Sequence, residues 1–255
     1  MKRTPIAVVV AVATAAILAA PAPAQVRGVE THVEVHVRAH DAKLIGDAVD
    51  GARVTITDVA TGEVLASGVT SGGTGETNLI MRTAHERAGT YFDTPGAAGY
   101  RADFRLTRPT VVEIAAIGPL GYPQATARAS STLLLQPGSD IEGDGIVLDL
   151  RGLIVEVLDA PPGTVDAGVA VRARVRMLCS CSTEPGGLWS VKEITARLMA
   201  GDEVVGEAQL EYSGEPSTYA GTVRAPRPGA YTLVVTATDA GGGNFGRDTR
   251  PVSVR

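Results

Sequence analysis

Val169–Trp189, VAVRARVRMLCSCSTEPGGLW, decides the fold class. Val169, Val171, Ala173, Val175 and Met177 alternate with Arg172, Arg174 and Arg176, the period-two pattern of a strand with one face buried. Carried two steps further, the inward row runs into Cys179 and Cys181, the only cysteines in the chain. The strand then meets Ser182-Thr183-Glu184-Pro185-Gly186-Gly187, a turn-forming cluster.

The same alternation recurs on both sides of this stretch. Val29–His40 places Val33, Val35, Val37 and Ala39 on one face and His32, Glu34, His36, Arg38 and His40 on the other. Runs at 51–58, 63–68, 78–81 (after a turn at Gly72–Gly75), 100–106, 110–117 and 126–135 follow, with 100–106 and 110–117 read as a strand pair around Arg108-Pro109. Two β runs between 146 and 158 break at Arg151-Gly152. Further strands are expected at 194–199, 204–212, 219–223, 231–238 and 249–254. Aromatics are only 4% of the chain, so its core must come from small and β-branched side chains, which suit a pleated surface. Thirty glycines and 15 prolines punctuate the apolar runs. The expectation is an all-β chain of two sandwiches: 25–136, boundary strands at 137–163, and 164–255.

Residues 1–24 read as a cleaved export signal. Lys2 and Arg3 precede the uncharged run Ile6–Ala20, and Pro21-Ala22-Pro23-Ala24 supplies a small-residue cleavage site before Gln25. That run is about 15 residues, short of the roughly 20 needed to span a bilayer, so no membrane span is expected in the mature form. The expected location is the periplasm or the exterior. The 23 Lys and Arg less the two at Lys2 and Arg3 leave 21 against 28 acids, a net charge of −7 for the mature chain. That balance argues against nucleic acid and anionic membrane surfaces as partners.

GARVTITDVATGEVLASGVTSGGTGETNL, Gly51–Leu79, resembles the carboxypeptidase-regulatory-like and transthyretin-like β-sandwich domains. Those carry a G-a-x-V-x-V-x-D-x-x-T-G hairpin followed by a glycine-rich turn. The resemblance covers about residues 30–120 and implies a seven-stranded sandwich, with no single chemistry attached. Gly229, Tyr231, Val235, Ala237 and Asp239 match the G-x-Y-x-x-x-V-x-A-x-D ending of bacterial immunoglobulin-like domains, which implies that fold for about 160–255.

Four sets of residues could carry chemistry. Cys179 and Cys181 would lie about 6.6 Å apart on one face of an extended strand. That admits a strained disulfide, inert buried thiols, disulfide exchange, or a soft-metal site for copper with Met177 as third ligand. His32, His36 and His40 share a strand face, read either as a solvated polar face or as metal ligands. Residues four apart are separated by about 13 Å, too far for one ion to take two of them, so a metal would need a ligand from a neighbouring strand. Arg172, Arg174 and Arg176 form a basic stripe suited to an acidic partner, or a solvated face. Asp140, Glu142, Asp144 and Gly145 approximate the start of a calcium loop. The bidentate Glu of that motif falls at position 12, where this chain has Arg151, so only a looser calcium site or a plain turn at 137–145 remains. There is no G-x-S-x-G, no H-E-x-x-H and no phosphate loop. The expected function is a non-catalytic binding or structural accessory that docks on a periplasmic or envelope protein, with periplasmic copper handling as the alternative.

Overall fold

Valines at every second position set the first strand, β1 (Val29–Ala39), whose Val33, Val35 and Val37 are fully buried. The computed structural model describes residues 27–255; the expected signal segment and its cleavage site before Gln25 lie outside the described residues. After β1 come β2 (Arg53–Asp58) and β3 (Val64–Val69), joined by the Thr61-Gly62 turn. A five-residue helix, α1 (Thr77–Met81), follows, then β4 (Tyr100–Leu106), β5 (Thr110–Gly118), β6 (Ala127–Leu135) and β7 (Ile141–Leu150). These strands form two sheets, in the orders β4-β1-β7 and β3-β2-β5-β6. Their inward rows, such as Ala102 and Phe104 on β4 and Val112 and Ile114 on β5, are buried. Seven strands in two layers result.

The second half repeats the principle. It contains β8 (Leu153–Asp159), β9 (Val169–Met177), β10 (Glu193–Ala200), β11 (Glu203–Gln209), β12 (Glu211–Tyr212), β13 (Thr218–Val223), β14 (Gly229–Asp239) and β15 (Asn244–Val254). The sheets are β12-β13-β9-β8 and β11-β10-β14-β15. The chain is all-β, as its alternation predicts. Burying each of these Val, Leu and Ile side chains contributes about 1.5–3 kcal/mol, so many modest side chains replace the missing aromatics.

Four local expectations need correction. The runs 100–106 and 110–117 are not hairpin partners: β4 pairs with β1, whereas β5 lies between β2 and β6. Alternation says which face of a strand is buried and not which neighbour it takes. Residues 78–81 belong to α1, whose Ile80 packs with Leu44, Tyr91, Phe92 and Ala98 in a small cluster outside the main core. The run 204–212 is two strands in different sheets, turning at buried Leu210, whose N–H donates to Ile194 O. The acidic stretch is already strand: β7 runs parallel to β1, and its register jumps between the pairs Val33–Ile141 and Val35–Ile146. Gly145 sits at the jump with φ +56, and a Cβ there would lie 2.2 Å from Glu34 O, so only glycine fits.

Strand β7 closes the first pair of sheets and β8 opens the second, with only Arg151-Gly152 between them. Side chains tie the two halves together. Buried Asn244 donates to His40 O and accepts from Gly152 N–H, and Gln124 donates to Val155 O. One continuous apolar cluster runs through both sandwiches.

Candidate functional site

Strand β9 stops at Met177 because the chain folds back on itself. Ser180 N–H donates to Met177 O at 2.9 Å, and Met177 N–H donates to Cys181 O at 3.1 Å. Ser180 holds a left-handed φ of +66, unusual for a residue with a Cβ. This turn, rather than a continuing strand, brings the Cα atoms of Cys179 and Cys181 to 5.3 Å, and the two sulfurs are bonded as a disulfide. Met177 is buried beside them. In this form neither cysteine has a thiolate with which to ligate a metal.

The turn forms one side of a cleft of about 350 Å³ between the sandwiches. Cys179, Cys181 and Trp189 line it from the second half, Lys43 and Thr74 from the first. Trp189 crosses the gap: its Nε1–H donates to Asp41 O at 2.8 Å. Lys43 Nζ donates to Thr77 Oγ1 at 2.9 Å, and burial pushes its ammonium below the ordinary lysine value against the pull of Glu76. Behind the turn, fully buried Thr183 donates from Oγ1 to Val175 O at 2.6 Å and lies 3.1 Å from the Tyr219 hydroxyl. Burial raises the Tyr219 phenol above its usual range. The sequence shows Thr183 only as part of a turn, and its anchoring role becomes visible once Val175 and Tyr219 are neighbours.

The three histidines take separate partners instead of meeting at one point. His32 Nδ1 bonds the Asp103 carboxylate, a contact that, with Arg101, holds that carboxyl below its ordinary value. His36 is buried and Nδ1 donates to Ala98 O at 2.7 Å, so its side of β1 is not the solvated face expected. His40 Nδ1 lies 3.8 Å from Asp149 Oδ2. Arg38 grips Asp149 with two bonds, at 2.6 and 2.8 Å. Burial alone would raise the Asp149 carboxyl, but Arg38 and His40 outweigh it and hold it below its ordinary range. Among the described residues no group of three or more His, Cys, Asp or Glu is placed to hold a metal ion.

The arginine row is graded rather than uniform. Arg172 is exposed and paired with Glu215 at 3.1 Å. Arg174 is half-buried, opposite Glu156 in the β8–β9 register. Arg176 is only 14% exposed in its side chain; it pairs with Glu156 at 2.6 Å, donates to the Tyr122 hydroxyl and to Ser180 Oγ, and stacks over the Tyr122 ring. Its guanidinium joins the two sandwiches.

The acids at 140–144 also diverge. Asp140 Oδ1 accepts from His32 N–H, and Glu142 lies 3.9 Å from Arg101. Asp144 accepts three consecutive backbone N–H groups, from Tyr91, Phe92 and Asp93, at 2.7–2.9 Å. That carboxylate pins the 90–93 segment against the sandwich.

A feature missed in the sequence is the outer face of the β3-β2-β5-β6 sheet. Six of the ten exposed large hydrophobics among the described residues belong to it or its adjoining turn: Val59, Val64, Val69, Val111, Ile117 and Leu134. The register orders them. Val59 and the pair Val111–Leu134 mark one end, and Val69–Arg53–Ile117–Arg128 crosses the other. Between these rows run Val64–Thr57–Glu113–Thr132 and Ser67–Thr55–Ala115–Ser130. Glu113 and Arg128 approach to 3.8 Å beside a shallow depression of about 230 Å³. The signal lay in Val111, Ile117 and Leu134, apolar residues at outward positions.

No known family matches the sequence, and no curated protein does. Among solved structures the chain is similar to a DUF3823 family protein from Bacteroides ovatus, with TM-score 0.33, 8% identity, and coverage of 88% of this chain and 99% of that one. It is also similar to a DUF3823 family protein from Parabacteroides merdae, with TM-score 0.31, 8% identity, and coverage of 89% and 100%. Both likenesses are distant.

Proposed function

We propose that this is an exported, non-catalytic accessory protein that docks a periplasmic or envelope protein through the outer face of the β3-β2-β5-β6 sheet. The observation that carries this reading is the concentration of exposed valine, isoleucine and leucine on that face. Four strands about 4.8 Å apart and four rows about 6.8 Å apart give a face of about 500 Å². A standard interface buries about 800 Å² per partner, so the face supplies more than half of one. Its apolar end at Val59, Val111 and Leu134, its hydroxyl-rich centre, its other end of valine and isoleucine beside two arginines, and its Glu113–Arg128 ion pair match the mixed character of non-obligate interfaces. The two halves are β-sandwiches of seven and eight strands, whose flat sheet faces suit binding, and the resemblance of their sequences to transthyretin-like and immunoglobulin-like domains supports the same non-catalytic reading. The leader-like residues 1–24 favour an exported setting.

The test is co-purification from periplasm of partners held by the mature chain and by a Val111→Glu/Leu134→Glu variant. Both side chains already face solvent, so the fold should survive. Loss of the bound partner in the variant is expected; equal capture by both proteins would overturn the docking face.

Copper handling through Met177, Cys179 and Cys181 is a reading for the reduced protein only, since a thiolate is the ligand. One copper per chain after reduction, abolished equally by Cys179→Ser and Cys181→Ser, would establish it. A metal-free reduced protein would remove it.

A further inference from the structure

A disulfide stabilises a fold chiefly by closing a long loop in the unfolded chain, and the effect grows with loop length. Cys179–Cys181 encloses one residue, so it staples almost nothing. Three observations suggest a different use. The bond lies in the turn after β9, which is closed by the backbone bond from Met177 N–H to Cys181 O and by the Arg176–Ser182 bridge. Neither cysteine belongs to the β8–β9 or β9–β13 pairing, so opening the S–S bond breaks no pairing of those strands. The turn holds Ser180 at φ +66, a conformation that an opened ring need not keep. Both cysteines line the cleft between the sandwiches, together with Lys43. A cation there favours a departing thiolate.

We propose that Cys179–Cys181 is an exchangeable disulfide that takes two electrons from a dithiol entering this cleft. This does not depend on the docking face. Cys181 retains 8% exposure against 1% for Cys179, which makes Cys181 Sγ the sulfur attacked. A thiolate of the incoming dithiol bonds to Cys181 Sγ. The S–S bond breaks, and its electron pair leaves on Cys179 Sγ, which takes a proton or stays as a thiolate in the cleft. The second thiolate of the dithiol then attacks its own sulfur in the mixed disulfide and releases the Cys181 thiolate. The protein ends as a dithiol and its reductant as a disulfide, with two electrons and two protons transferred. The Thr183 anchor behind the turn has no bond to either sulfur, so the sandwich keeps its shape throughout.

The folded mature chain is incubated with millimolar dithiothreitol without denaturant, quenched with iodoacetamide and weighed intact, with circular dichroism recorded in parallel. Two carbamidomethyl groups per chain with an unchanged β spectrum are expected; labelling only after denaturant is added would overturn the proposal. Single variants fix the order of attack. In Cys179→Ser, Cys181 should react with the aromatic disulfide 5,5′-dithiobis(2-nitrobenzoate) about tenfold faster than Cys179 does in Cys181→Ser, in line with the exposure-controlled access of thiol exchange. Equal rates would refute Cys181 as the entry point. A Cys179→Ser/Cys181→Ser protein with wild-type spectrum confirms that the bond is dispensable for folding; an unfolded double variant would show it to be structural and sink the proposal.

Discussion

Replacing Asp144 by alanine should release one segment and leave the sandwich standing. The carboxylate accepts N–H groups from Tyr91, Phe92 and Asp93 at 2.7–2.9 Å, and nothing else among the described residues takes those three amides. A hydrogen bond to a charged group contributes about 1.5–3 kcal/mol. Three bonds share one half-exposed acceptor, and water replaces part of what is lost, so the net cost of removal is about 3 kcal/mol rather than their sum. Tyr91 and Phe92 remain packed in the satellite cluster with Leu44, Ile80 and Ala98, which keeps the loss local. At about 1.4 kcal/mol per factor of ten, exchange of these three amides should speed up about a hundredfold. Native-state hydrogen exchange reads this directly, with the Val33 and Val35 amides of β1 as unchanged internal controls. Asp144→Asn keeps one oxygen without charge and should give about a tenfold effect by the same scale. Wild-type exchange at Tyr91, Phe92 and Asp93 in Asp144→Ala would refute the reasoning, as would equal acceleration along β1.

Other substitutions discriminate among the remaining contacts. Arg176→Ala strips Glu156 and Tyr122 of their shared partner and should cost about 2–4 kcal/mol in urea denaturation, whereas Arg172→Ala, at a surface pair, should stay within about 0.5 kcal/mol. Gly145→Ala puts a Cβ against Glu34 O at φ +56 and should lower stability by about 2–4 kcal/mol, measured by the same denaturation. The Asp149 carboxyl is held down in the folded state, so its contribution is complete above the ordinary aspartate value of about 3.9 and is lost as pH falls through the lower folded value. Asp149→Asn should therefore flatten the acid limb of the stability profile below that value while leaving its slope near neutrality unchanged; an unaltered acid limb would remove the Arg38–Asp149 pair from the account.

The strands were legible because each apolar face is buried, and burial imprints a period of two on the sequence. Val169–Met177 and Val29–Ala39 show it directly. Neighbour choice was not legible, because β4 and β5 carry equivalent inward rows and either could have paired with the other. The site was harder still. His36 looked solvated because nothing local announces that Ala98 would fold over it, and Arg176 looked like one third of a stripe because its partners Glu156 and Tyr122 are distant in sequence. The outer face of β3-β2-β5-β6 was hidden for a related reason. Val111 and Leu134 read as ordinary strand residues until the register sets them side by side on the exposed surface.

Site-specific photo-crosslinking tests the docking reading most directly. A benzophenone amino acid is placed at Ser130, exposed on the edge strand β6 in a central row of the face, and separately at Arg172, on the far sandwich, and cells are irradiated before periplasmic extraction. A discrete crosslinked protein from Ser130, absent from Arg172 and lost when Val111→Glu/Leu134→Glu is added, is the predicted result. No discrete product from Ser130, or the same product from both positions regardless of the two glutamates, would contradict it.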